Sequence, residues 1–268
     1  VPPPARDPNR ALPVVHWLTL LAANAVPAVG WFTEEWSAAT TLIVYWFETV
    51  AGLFFIYARG VLQQRWNPRR GHFRYEAPEP KGTQGTSGSF ITGFVFINGV
   101  FTAGHGVFIA GIVFVLTHNG NAELVDLNWR AAGIGCLQML VIVMIDFLAD
   151  VPFLRNWSFE QLEQTANRSF ARVGIVHFAL IFGIFAAAVS DSPTKMFSVF
   201  IVLKTLYSLS TALPQWEPGT PPAWLSRLMN SVRREPRGQR FEDMWAKDRA
   251  AEVRRRIRND ELWTGAGR

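Results

Sequence analysis

Cysteine is almost missing from this chain of 268 residues: Cys136 is the only one, so no intramolecular disulfide can form and redox compartment cannot be read. Charge is sparse too, at 18% of residues, and it is absent from long stretches. With 49% hydrophobic residues the chain is too apolar for an ordinary soluble domain that also carries polar tails. Several catalytic signatures are lacking. There is no G-x-S-x-G and no basic neighbour for Cys136 in the sequence, which removes the usual marks of nucleophilic catalysis. The Gly-rich segment from Gly82 to Gly88 lacks the Lys-Ser/Thr and following helix of a phosphate-binding loop. Neither H-x-x-x-H nor E-x-x-H spacing occurs, so no local metal motif is present. Alternation of apolar and polar residues is absent as well, which excludes a membrane β-barrel.

Instead there are continuous apolar runs. Six approach the roughly 20 residues that an α-helix needs to cross a bilayer: Ala11–Trp31, Ser37–Tyr57, Phe90–Leu116, Ala131–Val151, Val173–Ser190 and Met196–Leu213. The expected fold is therefore all-α, a polytopic bundle of six transmembrane helices over residues 11–213. Ala23-Asn24-Ala25 after Arg6 and Arg10 also fits a signal-peptide cleavage site. The apolar run continues past it and the leader is Pro-rich, so an uncleaved first span is expected. Basic residues near span ends stay on the cytoplasmic side. Of the 26 Lys and Arg, only Arg130 and Lys195 fall on the face opposite the N-terminus, with Lys204 inside a span. Both termini are expected in the cytoplasm. The first outer loop, WFTEEW, carries two Glu and no basic residue.

Residues 1–10 form an N-terminal tail. Residues 60–89 mix a basic, Pro-containing piece with KGTQGTSGS and read as a cytoplasmic surface loop. In the basic tail, residues 214–268, Trp224, Leu225, Leu228, Met229 and Val232 share one helical face bordered by Arg227, Arg233 and Arg234. That pattern suits an amphipathic helix on the inner membrane surface, with anionic lipid as its partner. A second helix is expected over Phe241–Leu262, with Asp243/Lys247 and Glu252/Arg256 at i, i+4. Its RRRIR run is interspersed with acids and lies beside the membrane, so it reads as a lipid-facing or solvated face, with no nucleic-acid partner.

Ionisable residues within spans are costly and by default mark a functional site. Glu48 is the only charge from Trp36 to Tyr57, and Tyr45, Glu48, Thr49 and Gly52 share a face. The third span carries a small-residue stripe, Gly99, Ala103, Gly106 and Ala110, suited to close helix approach. Beside it run Asn98, Thr102 and His105. Asp146 and Asp150 lie one turn apart in the fourth span, His177 early in the fifth and Lys204 near the centre of the sixth. Counted at about 1.5 Å per residue, Glu48, His105 and Lys204 lie near the midplane, with Asp146 and His177 slightly toward the cytoplasm and Asp150 near the inner interface. The expected buried polar cluster is Glu48, His105, Asp146, His177 and Lys204, with Tyr45, Asn98 and Thr102 nearby. His16, at the inner end of the first span, reads as interfacial.

Asn24-Ala25-Val26-Pro27, Trp36, Tyr45-Trp46-Phe47-Glu48, His105-Gly106-Val107-Phe108, His177 and Leu203-Lys204-Thr205-Leu206 resemble, in that order, an uncharacterised family of bacterial multi-pass membrane proteins. The resemblance covers Ala23 to Leu213 and implies a multi-pass protein of the bacterial cytoplasmic membrane, without an activity. The chain departs from the pattern at Thr49, where Asn is usual, at Ile97, where a second His would stand, and at Asp146, where a His is expected. These departures weigh against a site that needs several histidines.

Three readings of the cluster follow. In the simplest, Glu48 pairs with Lys204 and Asp146 with His177 or His105, and the network sets helix register in a membrane scaffold or accessory subunit with a membrane protein partner. In the second, Glu48, His105, Asp146 and His177 hold a divalent transition metal for an intramembrane enzyme. The third is a proton-coupled path for a small solute, although no span is visibly a broken helix. Lys204 reads as an ion-pair partner rather than a Schiff-base lysine.

Overall fold

The structure is a computed structural model that describes residues 12–78, 88–118, 126–169, 193–211, 218–232 and 240–265. The expected fifth span with His177, most of the Gly-rich connection before Gly88, and Arg233 and Arg234 lie outside those residues. Among the described residues the regular structure is helical: α1 (Leu12–Phe32), α2 (Ala38–Trp66), α3 (Arg70–Phe73), α4 (Phe90–His118), α5 (Trp129–Asp150), α6 (residues 159–169), α7 (Pro193–Thr211), α8 (Ala223–Val232) and α9 (Phe241–Asp260). Four of them are long and apolar enough to cross a membrane, over Val14–Phe32, Ala38–Trp66, Phe90–Gly111 and Trp129–Asp150; α7 adds a shorter apolar stretch, Ile201–Ser210.

Two of the long helices, α2 and α5, start where the sequence supplies a cap. The Ser37 hydroxyl accepts from the Thr40 amide at 3.1 Å, and the Asn128 side chain accepts from the Ala131 amide at 3.0 Å, each satisfying an otherwise orphaned donor. The turn between α1 and α2 is held by Trp36. Its indole donates to Glu34 at 2.9 Å and packs into a slot lined by Gly30 and Gly135, where a Cβ would stand 2.2 and 2.7 Å from the ring. Only glycine admits that approach, so one aromatic side chain ties α1, α2 and α5 together.

α2 is the axis of the bundle, packed on α5 and α4, while α1 packs on α5 and α7. Leu42, Tyr45, Ile109 and Ile201 join α2, α4 and α7 in one apolar cluster, and Ala23, Val44 and Met139 form another with Trp36. Many large apolar side chains instead face outward, among them Leu18, Phe96, Val107, Leu137 and Leu148. An outer surface so apolar is what lipid as solvent allows.

α4 presents a different face from the one its small-residue stripe suggests. Thr102, His105 and Ile109 are buried, whereas Ala103 and Ala110 are exposed and nothing approaches Gly99. The Trp46 indole decides this, donating to the Thr102 carbonyl at 3.0 Å and lying against Gly106, where a Cβ would sit 3.0 Å from its nitrogen. A polar seam turned inward leaves Gly99, Ala103 and Ala110 outside, while Gly106 of the same stripe lies against Trp46.

The end of the bundle that carries residues 60–78 is more ordered than a flexible loop from residue 60 would be. α2 continues past Tyr57 to Trp66, and its Gln63 amide donates to the Trp157 and Ser158 carbonyls at 3.0 and 3.2 Å. His72 is fully buried beside Gln63 and against the Phe159 ring. α9 straps this layer down. The Asn259 side chain exchanges two hydrogen bonds with the backbone of Glu76, at 3.0 and 2.9 Å, and Trp263 stacks on Phe73. In the RRRIR run, Arg255 is buried against Glu163 at 2.9 Å and Arg256 bonds Glu160 and Glu252. Arg255 faces protein because the buried Glu163 carboxylate of α6 demands compensation, while Arg256 and Glu160 pair at the partly exposed edge of the same contact. α8 turns its polar side inward: Ser226 is buried and the Asn230 side chain accepts from the Phe241 amide at 2.9 Å, capping α9.

Candidate functional site

One stripe of α2 organises the polar interior. Tyr45, Glu48, Gly52, Ile56, Arg59 and Gln63 recur at i+3 or i+4, so they stack along a single face that runs from mid-helix to its C-terminal end. Each charge on that stripe meets a partner from another helix. Near mid-helix, Lys204 of α7 donates to Glu48 at 2.8 Å, with both side chains buried, and its ammonium lies 4.2 Å from the centre of the Tyr45 ring. Ion pair and ring face together compensate a desolvated ammonium.

Farther along, Arg59 bridges two aspartates of α5. Its Nη2 reaches Asp146 and its Nε reaches Asp150, each at 2.8 Å, with the guanidinium near the Phe147 ring. His16 of α1 enters from the opposite side, Nδ1 2.7 Å from Asp146 and Nε2 3.1 Å from Asp150. The Thr19 hydroxyl adds a bond to Asp146 at 3.0 Å. Nδ1 is hydrogen-bonded to Asp146 and Nε2 stands at ion-pair distance from Asp150, so a protonated His16 makes this an arrangement of two cations bracketing two carboxylates. Asp150 and Arg59 are each 3% exposed, whereas His16 is 37% and Asp146 30% exposed, so the cluster has one buried and one accessible side.

Both groups line the same cavity of about 430 Å³ between α1, α2, α5 and α6, reached by Lys204 from α7. Thr49, Gly52, Trp157, Thr165, Arg168 and Ser169 complete much of its wall.

Of the residues singled out in the sequence, Glu48, Lys204 and Tyr45 meet. Asp146 meets His16 and Arg59, not His105. His105 is buried on α4 near Thr102, and Asn98 bonds its own helix at the Phe94 carbonyl, 2.8 Å away. His177 lies outside the described residues. Among the described residues the carboxylate and imidazole atoms that converge, within 4.8 Å of one another, belong to His16, Asp146 and Asp150 rather than to Glu48, His105 and Asp146. Arg59 holds the Oδ2 atom of each aspartate while the Oδ1 atoms face His16, so an ion seated among the three would have to part His16 from those oxygens.

His16, Arg59 and Arg168 are the site residues that sequence reasoning passed over. The signal for Arg59 was present, because it continues the Tyr45, Glu48, Gly52 stripe beyond the apparent end of the span. His16 and Thr19 likewise share a face at i, i+3.

No curated protein and no solved structure matches the chain. Over residues 6–235 it matches the family of unknown function DUF6498, whose span takes in every one of these site residues, and the chain belongs to that family.

Proposed function

We propose that this chain is a multi-pass membrane protein that binds a small polar solute within its helix bundle and couples that binding to protonation. The cavity carries the reading. Its volume of about 430 Å³ falls among small-ligand sites, which run roughly 300–1,000 Å³, and both charge groups open onto it. A scaffold needs the Glu48–Lys204 and Arg59–aspartate pairs for register but gains nothing from unfilled space between them, because close packing is the favourable state of a protein interior. Coupling rests on the second cluster: a partly exposed imidazolium held by two carboxylates keeps its proton until an arriving solute takes over one of those contacts, which ties protonation to binding.

The proposed placement has six spans with both termini in the cytoplasm of a bacterial cell, supported by the apolar runs and the distribution of basic residues. α8 lies on the inner membrane surface. Trp224 and Leu228 are exposed, with Leu225, Met229 and Arg227 beside them, and Arg233 and Arg234 follow in the sequence as further charge for anionic headgroups.

The test is a solute panel. Purified protein in zwitterionic lipid is scanned for thermal stabilisation by small anions, cations, zwitterions and neutral polyols, and each stabilising solute is followed in proteoliposomes under an imposed pH gradient. At least one class is expected to raise Tm, with flux that follows the gradient. If none does, while the cavity-filling Gly52→Leu is as stable as the native protein, the space is idle and the scaffold reading stands.

A further inference from the structure

The charges around the cavity do not cancel. Glu48 faces Lys204, and the two aspartates face Arg59 and His16. Arg168 of α6 lines the same wall and is left over. Among the described residues it makes no ion pair or hydrogen bond, and its Nε is shielded from solvent without a partner. A guanidinium does not lose its proton to escape burial, so its charge calls for an anion.

The neighbouring positions on α6 favour the same ligand. Thr165 and Ser169 flank Arg168 on the cavity side at i−3 and i+1. Ser169 turns its hydroxyl toward Gly52, whose missing side chain leaves that corner open, a Cβ there standing 3.9 Å from the oxygen. Thr165 donates to the Gln161 carbonyl at 2.8 Å, which fixes its rotamer. The Thr165 proton is thus committed to its own helix, and a fork of N–H donors beside the Ser169 hydroxyl and an open corner is the geometry that takes a planar or tetrahedral oxyanion.

We propose that the cavity holds a small oxyanion, a carboxylate or phosphate group seated on Arg168 with the Ser169 hydroxyl beside it. This rests on the solute-binding reading and names the class of solute. The same chemistry could be supplied by a free metabolite or by the headgroup of a lipid, and the experiment separates the two.

The full chain is placed in nanodiscs of phosphatidylcholine alone, and binding of acetate, succinate and inorganic phosphate is measured by calorimetry and thermal unfolding, beside choline and glycerol. Native protein is expected to bind at least one oxyanion about tenfold or more tightly than Arg168→Gln, the scale of a charge-assisted hydrogen bond, with Arg168→Lys between them. Without ligand, Arg168→Gln should unfold at the native temperature or above it, since no partner is lost. In discs containing phosphatidylglycerol, a headgroup occupant would raise the Tm of native protein but not of Arg168→Gln, and would exclude the free anions; a free solute would bind equally in both discs. Oxyanion affinity unchanged by Arg168→Gln in both disc types overturns the proposal. Choline or glycerol binding that Gly52→Leu abolishes and Arg168→Gln does not would leave the cavity reading standing and the oxyanion without support. Absence of binding by every probe in both disc types removes both.

Discussion

At the scale of single residues, the interior is governed by the cost of an uncompensated charge. Glu48 and Lys204 are both buried and 2.8 Å apart, so removing one leaves the other without a counter-charge in a dry place. Breaking such a pair costs about 3–5 kcal/mol, whereas replacing both partners with similar-sized neutral groups costs far less. Glu48→Gln is therefore expected to lower Tm sharply in detergent, and Glu48→Gln with Lys204→Met to recover part of the loss. A double mutant no better than the single would show that the two side chains are not coupled. Arg59→Met should be at least as damaging, because two aspartates lose their shared cation at once. Restored stability in Arg59→Met with Asp150→Asn, measured in the same unfolding assay, would confirm which carboxylate depends on it more.

At the scale of elements, close approach and strap contacts decide the arrangement. Gly30 and Gly135 admit Trp36, and a methyl at either would overlap the indole, which must then move. Gly30→Ala is expected to cost about 1–3 kcal/mol, read as a lower unfolding midpoint, because overpacking forces helices apart. The docking of α9 depends on groups outside the spans whose protonation differs from ordinary values. Burial pushes the His72 imidazole down to about 4, and the paired Arg255 guanidinium holds the Glu252 carboxyl down to about 2. An undocked His72 would take its proton near the usual 6.5, so the loosened form binds the proton first. Docking stability is thus complete above about pH 6.5 and declines as pH falls toward about 4. Hydrogen exchange of residues 241–260, corrected for intrinsic rates, should quicken between pH 6.5 and 4.5 in the native protein and stay flat in His72→Gln. Equal pH dependence in both would remove His72 from the explanation.

At the scale of the whole molecule, orientation and lipid contact can be checked together. A reporter active only outside the cytoplasm should be silent when fused after Arg268 and active at Asn119. Activity of the Arg268 fusion would reverse the topology. Spin labels at Leu228 and Asn230 should differ in the same membranes, Leu228 shielded from an aqueous quencher and Asn230 held by its contacts with Phe241 and Glu242. Equal exposure of Leu228 and an aqueous control site would place α8 away from the lipid.

Length and periodicity alone identified an all-helical chain with helices long and apolar enough to cross a membrane, because both are local properties: an apolar run of bilayer length has few other stable fates. They also placed Glu48 and Lys204 in helices at similar depth with opposite charge. The remaining partnerships depended on how the helices are rotated about their axes, which no local pattern states. Asp146 turns to His16 and Arg59 because α1 and α2 both present polar side chains to α5 at that level, and because the long Arg59 stem reaches the aspartates from a position that looked like a loop. α4 faces inward with Thr102 and His105 because Trp46 of a neighbouring helix claims the Thr102 carbonyl. Arg168 resembled one more cytoplasmic charge in the sequence, and only the meeting of α6 with α1, α2 and α5 places it on a cavity wall. Composition set which charges the apolar helices would have to carry; tertiary packing decided which of them satisfy one another and that Arg168 meets no counter-charge among the described residues.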